Sequence, residues 1–161
     1  MFCKYCGKTI DEDSLFCRFC GKAQNQVKTE KPTAEIDSKV FNFGGMSHNE
    51  GNIAQINKWF AAQEIVIKAV SANAFMNINN PFKWETVINR AEFKYTAKAG
   101  AKHYTMGYFT SKKWIGSSYE KVTAAFEKWK KENPDKTVVW DQCMSHQTDG
   151  GSTQSLYFIY C

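Results

Sequence analysis

Four cysteines near the start of the chain constrain what its first twenty or so residues can form. They make two Cys-x-x-Cys pairs, Cys3/Cys6 and Cys17/Cys20, and a glycine directly follows each pair. Two intervening residues allow a tight turn to bring both sulfurs to one side, and the glycine permits a positive φ that aims backbone N–H groups at them. Four thiolates gathered in this way suit a tetrahedral metal ion, and we expect one Zn²⁺.

The spacer between the two pairs contains a polar run, residues 9–14, which favours a hairpin that folds the second pair onto the first. Residues 2–22 therefore resemble the short zinc-ribbon module found at the N-termini of many otherwise unrelated bacterial proteins. That module usually has proline at the first variable position of each pair, whereas this chain has Lys4 and Arg18. The resemblance implies a structural zinc and no activity.

A structural zinc is expected because four cysteine ligands leave no open position for the water or substrate that a catalytic zinc requires. Iron in a rubredoxin-like site is one alternative, since a tetrahedron of thiolates also suits iron. Disulfides are the other, and they are disfavoured in a chain whose N-terminus shows no secretory signal. The ribbon is too short to bury a sufficient core, so we expect metal binding to supply its folding free energy.

The composition changes after the second cysteine pair. Residues 23–50 are mostly polar, and we expect a flexible linker there that is mostly disordered. Aromatic residues make up 15% of the chain and lie mostly after residue 40, which places the hydrophobic core in a second domain, residues 51–161. Without a signal segment or a long apolar run, the chain is expected to be cytoplasmic and to have no membrane partner.

Hydrophobic periodicity predicts the elements of the second domain. Apolar residues at helical spacing favour a helix over 52–63. The β-branched run at 65–76 favours a strand, although its apolar residues can also extend that helix. Alternation and turn signals then predict strands at 84–96, 103–110, 137–145 and 155–161, and a helix at 118–132 that begins with a Ser117/Glu120 capping box.

The last two of these strands are predicted to form a hairpin. The Asp-Gly-Gly sequence at 149–151 favours a tight turn, which places Cys143 opposite Tyr157 and Cys161 opposite Val139. The two cysteines are then not partners of one another. We interpret both as small buried or edge residues without a catalytic role.

These elements predict an α+β fold class. We expect a small N-terminal zinc ribbon (1–22), the linker, and then an antiparallel sheet with two helices on one face, in the order α-β-β-β-α-β-β. The order helix, strand, strand occurs twice, in residues 53–96 and in residues 118–161. This recurrence suggests the hypothesis of an internal duplication.

One stretch of the second domain combines basic and aromatic side chains without any acidic residue between Glu92 and Glu120. Cations beside exposed aromatic rings suit a phosphate backbone and stacked bases. The candidate nucleic-acid-binding residues are Lys94, Lys98, Lys102, Tyr104, Tyr108, Lys112, Lys113 and Trp114. In the alternative interpretation, the rings point into the core and the lysines keep an outer sheet face soluble, since a half-buried sheet gives the same pattern.

An enzyme is the least favoured class of function. The histidines, His48, His103 and His146, are scattered, and no carboxylate pair, nucleophile motif or phosphate loop stands at a required spacing. We expect a zinc-binding, non-enzymatic interaction protein in which the ribbon is tethered to an α+β domain that binds a ligand or a protein. The alternative is a nucleic-acid-binding protein that uses the ribbon and residues 94–114.

Overall fold

The computed structural model describes residues 2–11, 16–22, 35–45, 47–77, 85–97, 102–113, 119–148 and 151–161. The chain divides into two compact units, Met1–Thr33 and Ala34–Cys161. We call residues 2–22 of the first unit the ribbon and the second unit the main domain. Residues 23–34, the first part of the predicted linker, lie outside the described residues.

The main domain contains two helices and six strands among the residues described. They are β1 (Asp37–Asn42), α1 (Asn49–Ala61), β2 (Val66–Asn77), β3 (Glu85–Thr96), β4 (Thr105–Lys113), α2 (Tyr119–Glu132), β5 (Val138–Thr148) and β6 (Gly151–Tyr160). The α+β class is confirmed, and the β-branched run after α1 is a strand. The predicted order lacked β1, which lies within the range assigned to the linker. Ser117, the predicted N-cap residue of α2, lies outside the described residues.

The strands form two antiparallel sheets of three strands, and the prediction of a single sheet was wrong. Sheet 1 has the order β1-β3-β2 and sheet 2 has the order β4-β6-β5. In both sheets, the helix connects the first strand to the second and the third strand takes the centre. The main domain therefore consists of two consecutive βαββ units of identical topology, which supports the duplication hypothesis.

The two βαββ units of the main domain pack against each other. The face of sheet 1 that carries α1 lies against the face of sheet 2 that does not carry α2. In the larger core, Phe60 of α1 and Phe93 of β3 lie with Tyr157 and Ile159 of β6. Side chains on the other face of β6 pack on α2, in a second cluster that includes Phe158. The two helices therefore contact opposite faces of sheet 2, whereas we predicted that both would lie on one face of a single sheet.

The predicted hairpin is present as β5 and β6, but its register differs by one residue near the turn and, beyond an irregularity between Val138 and Trp140, by two residues at Cys161, which was predicted opposite Val139. Thr148 pairs with Gly151, so that Cys143 lies opposite Leu156 instead of Tyr157. The Asp-Gly-Gly sequence is compatible with several turn geometries, and each of them sets a different register. The backbone of Cys161 bonds to that of Thr137, at 2.9 Å and 3.1 Å in the two directions.

A buried polar junction joins the two βαββ units. The carbonyl oxygen of Thr86 in β3 accepts hydrogen bonds from Asn49 Nδ2 at 2.8 Å and from Ser155 Oγ at 2.7 Å. The hydroxyl oxygen of Tyr157 lies 2.9 Å from the same carbonyl and 2.8 Å from Asn49 Oδ1. All four side chains are fully buried. Because water does not reach these groups, each depends on the others for hydrogen bonding.

Replacing Asn49 with alanine tests this junction. We expect Asn49→Ala to lower the free energy of unfolding by about 1–3 kcal/mol, because it leaves the Tyr157 hydroxyl and the Ile88 amide without the side-chain amide that they contact. Urea denaturation measures the change. Gln55→Ala, at an exposed position on the same helix, is the matched control and should have almost no effect. Equal effects of the two substitutions would contradict the role of the junction.

Two glycines give a second test, with opposite signs. Gly107 of β4 lies opposite Phe158, and a Cβ atom added there would lie 2.5 Å from Cζ of that ring. Gly107→Ala should therefore destabilise the protein by about 1–3 kcal/mol. In α1, a Cβ added to Gly51 meets no described atom within 4 Å, so Gly51→Ala should stabilise by about 0.5–1 kcal/mol. Thermal unfolding of both variants checks the signs, and a stabilising Gly107→Ala would refute the packing.

Candidate metal centre

The ribbon is built from two copies of a seven-residue sequence. Residues 2–8 read Phe-Cys-Lys-Tyr-Cys-Gly-Lys and residues 16–22 read Phe-Cys-Arg-Phe-Cys-Gly-Lys. We call these segments knuckle 1 and knuckle 2. They are identical at five positions and keep the basic and aromatic character at the other two. This repeat is a stronger signal of a symmetric site than the cysteine spacing alone.

The backbone folds in the same way in both knuckles. In knuckle 1, the Cys3 amide donates to the Lys8 carbonyl at 2.9 Å, and the Gly7 amide donates to the Cys3 carbonyl at 2.9 Å. The equivalent bonds in knuckle 2 are 2.9 Å and 2.7 Å long. Gly7 and Gly21 have φ values of 68° and 69°, which confirms the positive φ predicted for both. Other L-residues adopt this conformation rarely, so the two turns favour glycine.

The two turns bring the four sulfur atoms together. The Sγ atoms of Cys3 and Cys20 are 3.7 Å apart, those of Cys6 and Cys17 are 3.6 Å apart, and all four lie within 4.8 Å of one another. A tetrahedral ion with metal–sulfur bonds of about 2.3 Å requires sulfur separations of about 3.8 Å. None of the six cysteines, all of which are described, is in a disulfide. The cluster can hold a metal ion such as Zn²⁺.

The two sulfurs of a pair differ in their environment. Cys3 is buried and Cys6 is exposed. Burial raises the pKa of Cys3, but hydrogen bonds from the Tyr5 and Cys6 amides and from neighbouring thiols outweigh it and lower the pKa to about 6. The Lys8 amide lowers the pKa of Cys6, yet partial desolvation of its thiol and the neighbouring cysteines raise it to about 12. In knuckle 2, the pKa of Cys17 is likewise lowered and the pKa of Cys20 is raised.

The sulfurs are close enough to repel one another once they ionise. Two buried sulfurs accept amide hydrogen bonds, at 3.4 Å from the Tyr5 amide to Cys3 Sγ and at 3.4 Å from the Phe19 amide to Cys17 Sγ. Such bonds stabilise the first thiolate of each pair, while the second thiolate forms beside an existing negative charge. A cation at the centre removes that penalty, so the donor set fits a divalent metal ion.

Basic side chains of each knuckle lie over the aromatic ring of the other. Lys22 Nζ is 4.8 Å from the ring centroid of Tyr5, and Lys8 Nζ is 4.7 Å from the ring centroid of Phe19. Contacts at this distance attract a cation to the negative face of the ring. The two crossed contacts therefore connect the knuckles independently of the sulfur cluster.

The aromatic rings of the ribbon point outward. Phe2 is 74% exposed, Tyr5 53%, Phe16 64% and Phe19 49%. The buried cluster of the described ribbon contains only Cys3, Ile10 and Cys17. The large aromatic side chains of the described ribbon are therefore exposed and do not contribute to its buried cluster.

The structure separates several residues of the basic and aromatic stretch. Lys94 is exposed on sheet 1, whereas Lys112 and Lys113 belong to β4 of sheet 2, and their side chains are not described. Lys98 and Trp114 lie outside the described residues. The described part of the stretch therefore does not place its lysines on one strand face.

Three further residues of that stretch are described. Tyr104 is only 7% exposed and belongs to the core of the main domain. Tyr108 is half-buried and stacks on Tyr157, with ring centroids 6.3 Å apart. Lys102 is exposed, and its Nζ lies 3.5 Å from Cys161 Sγ. A base cannot stack on a ring that already packs in the core.

The histidines lie at separate places in the main domain. His48 Nδ1 is 3.2 Å from a Glu85 carboxylate oxygen, and His146 Nδ1 is 3.5 Å from Thr86 Oγ1. His103 is exposed and lies 3.8 Å from a carboxylate oxygen of Glu64. Within the described ranges, the four ribbon cysteines form the only group of three or more residues that can ligate a metal.

Comparisons of the chain with models of protein families, with curated proteins and with solved structures find no match. Neither helix of the described chain is long and apolar enough to cross a membrane. The chemistry of the ribbon is therefore the basis for inferring a function.

Metal content tests the cysteine cluster directly. We expect one bound metal ion per chain in the purified protein, measured by inductively coupled plasma mass spectrometry. Cys17→Ser should reduce the content to near zero in the presence of a competing chelator, because it removes one of four ligands. Cys143→Ser makes the same change in the main domain and should leave one ion per chain. Full metal retention by Cys17→Ser would rule out the four-cysteine site.

Proposed function

We propose that this chain is a zinc-binding, non-enzymatic interaction protein, in which one structural Zn²⁺ orders the ribbon so that its surface can bind a partner. The observation that supports the proposal is the convergence of four sulfur atoms within 4.8 Å. Cysteines occupy every ligand position, so no site remains on the metal for water or substrate. The same donor set also suits iron, and elemental analysis distinguishes the two metals.

The structural role of the metal follows from how little the ribbon buries. The buried cluster of the described ribbon consists of Cys3 and Cys17, which are two of the four proposed metal ligands, and Ile10. Burying one isoleucine contributes about 1.5–3 kcal/mol, whereas ordering the backbone costs about 1–2 kcal/mol per residue. Metal coordination is the remaining source of folding free energy, and zinc supplies on the order of 10 kcal/mol in comparable small units.

The main domain differs because it contains a core of its own. Thirteen buried side chains form its larger cluster, and they include Ile56, Phe60, Phe93 and Tyr157. We propose that it folds without the metal and acts as the ligand-binding or protein-binding part of the chain. Residues 94–114 are not included as a nucleic-acid site, since Tyr104 is in the core and, among the described residues, Lys94 belongs to sheet 1 whereas Lys112 and Lys113 belong to sheet 2.

Chelation of the intact protein tests this division of roles. Removing zinc should collapse the amide resonances of residues 2–22 to random-coil positions, because the ribbon then loses most of its folding free energy. The resonances and the thermal midpoint of the main domain should remain unchanged. Two-dimensional ¹H–¹⁵N spectra and thermal unfolding provide the two measurements.

Cys17→Ser, freed of residual metal by the same chelator and then dialysed, is the matched control and should give the same spectrum as the chelated protein. Persistence of a folded ribbon without metal would contradict the structural role of zinc. Loss of structure in the main domain on chelation would contradict its independence.

A further inference from the structure

The two knuckles have an unusual set of exposed side chains. Cysteine and glycine form the metal site and the turns, and every other position of both knuckles is aromatic or basic. The aromatic residues are about half exposed or more, and the basic residues are exposed. Neither knuckle contains an acidic residue. Rings and positive charges therefore make up the whole variable surface of the knuckles.

The rings and the charges are close enough to act on one ligand. Lys4 Nζ lies 5.2 Å from the ring centroid of Tyr5, and Arg18 Cζ lies 5.0 Å from the ring centroid of Phe19. The last lysine of each knuckle lies over the ring of the other, at 4.7 Å and 4.8 Å. Tyr5 and Phe19 are thus each adjacent to one cation from each knuckle. A ligand that carries alternating anionic and flat groups can contact both kinds of side chain at once.

We infer that the paired knuckles form a binding surface for single-stranded nucleic acid, which contacts the basic side chains with its phosphates and the exposed rings with its bases. Single strands combine one negative charge and one unpaired flat base in every nucleotide, and proteins bind them through cationic grooves and stacking platforms. A duplex hides its base faces inside the helix, so it matches the charges but not the rings. The inference rests on the proposed function, because the zinc holds the two knuckles together.

Other partners fit the surface less well. An acidic peptide satisfies the basic side chains but offers no counterpart to four exposed rings. An anionic membrane attracts the same charges, yet inserting the rings into lipid brings the cations that lie over Tyr5 and Phe19 towards hydrocarbon, which is costly. A nucleotide can contact the ring with its base and the neighbouring cation with its phosphate.

Fluorescence anisotropy with the zinc-loaded full chain tests the inference. The probe is a fluorescein-labelled 20-mer of uridine. We expect saturable binding that weakens about 50-fold between 50 and 200 mM salt, as four phosphate contacts with a slope of about −0.7 each imply. A duplex of the same length should bind at least about tenfold more weakly, since its bases are not available for stacking. Equal affinity for the duplex would overturn the role of the rings.

Substitution of the rings separates stacking from charge. Tyr5→Ala combined with Phe19→Ala should weaken binding about tenfold or more and leave the salt dependence unchanged. The exchanged pair, Tyr5→Phe with Phe19→Tyr, keeps both ring faces and should bind like the original protein. If the alanine pair loses its zinc, Phe2→Ala with Phe16→Ala provides the same test at the two most exposed rings. Unchanged affinity in a zinc-loaded alanine variant would refute base stacking.

Substitution of the cations gives the complementary result. Lys8→Gln combined with Lys22→Gln should reduce the salt slope by about 1.4, since each phosphate contact contributes about 0.7. Lys121→Gln with Lys131→Gln makes the same change in net charge at exposed positions of α2 and is the matched control. An equal effect of the control pair would show that only the net charge of the protein matters, which would overturn the inference.

The outcomes also distinguish this inference from the function on which it rests. A protein that contains one zinc per chain but does not bind the oligonucleotide at 50 mM salt refutes the nucleic-acid surface and leaves the metal centre intact. A protein without zinc refutes both. Vesicles of phosphatidylcholine with 30% phosphatidylserine provide the last comparison, and preferential binding to them would replace nucleic acid with an anionic membrane.

Discussion

The ribbon depends on how the mutual repulsion of four closely spaced sulfurs is compensated. The sulfur atoms of Cys3 and Cys20 lie 3.7 Å apart, which is tolerable for thiols and unfavourable for four thiolates without a cation. The backbone amides of Tyr5 and Phe19 each contact one sulfur, which stabilises the thiolate form of that cysteine. An ion at the centre would allow all four to ionise together, and its coordination would add folding free energy that the small buried cluster around Ile10 cannot supply.

The ribbon and the main domain place their aromatic side chains differently. Phe2 and Phe16 of the ribbon are exposed, and the proposed metal coordination, as a source of folding free energy, leaves no need for them in a core. The main domain has no such source in its described residues, and its rings are buried instead, as the contacts of Phe60 with Phe93 and Tyr104 show. The sequence pattern of aromatic beside basic residues is similar in the ribbon and in the main domain. The aromatic rings are nevertheless exposed in the one and packed in the core in the other.

Local chemistry was predictable from the sequence, whereas long-range pairing was not. The cysteine spacing and the glycines that follow predicted the sulfur cluster and the positive φ of Gly7 and Gly21, and β-branched residues predicted β2. The division into two sheets depends on β4 pairing with β6 instead of β3, and no local pattern encodes that choice. β1 was missed as a full strand because its polar, exposed residues, such as Asp37 and Ser38, resemble a linker.

The packing of the two βαββ units explains why the basic residues of sheet 1 need no ligand. The face of sheet 1 that shares a core with α1 packs against sheet 2, so its opposite face is left for solvent. Strand alternation places Arg90, Glu92 and Lys94 there, and an ion pair of 2.7 Å joins the first two. A half-buried sheet requires polar residues on that face whether or not anything binds to it. The ribbon differs, since its basic residues Lys8 and Lys22 lie over the exposed rings of Phe19 and Tyr5 and thereby connect the two knuckles.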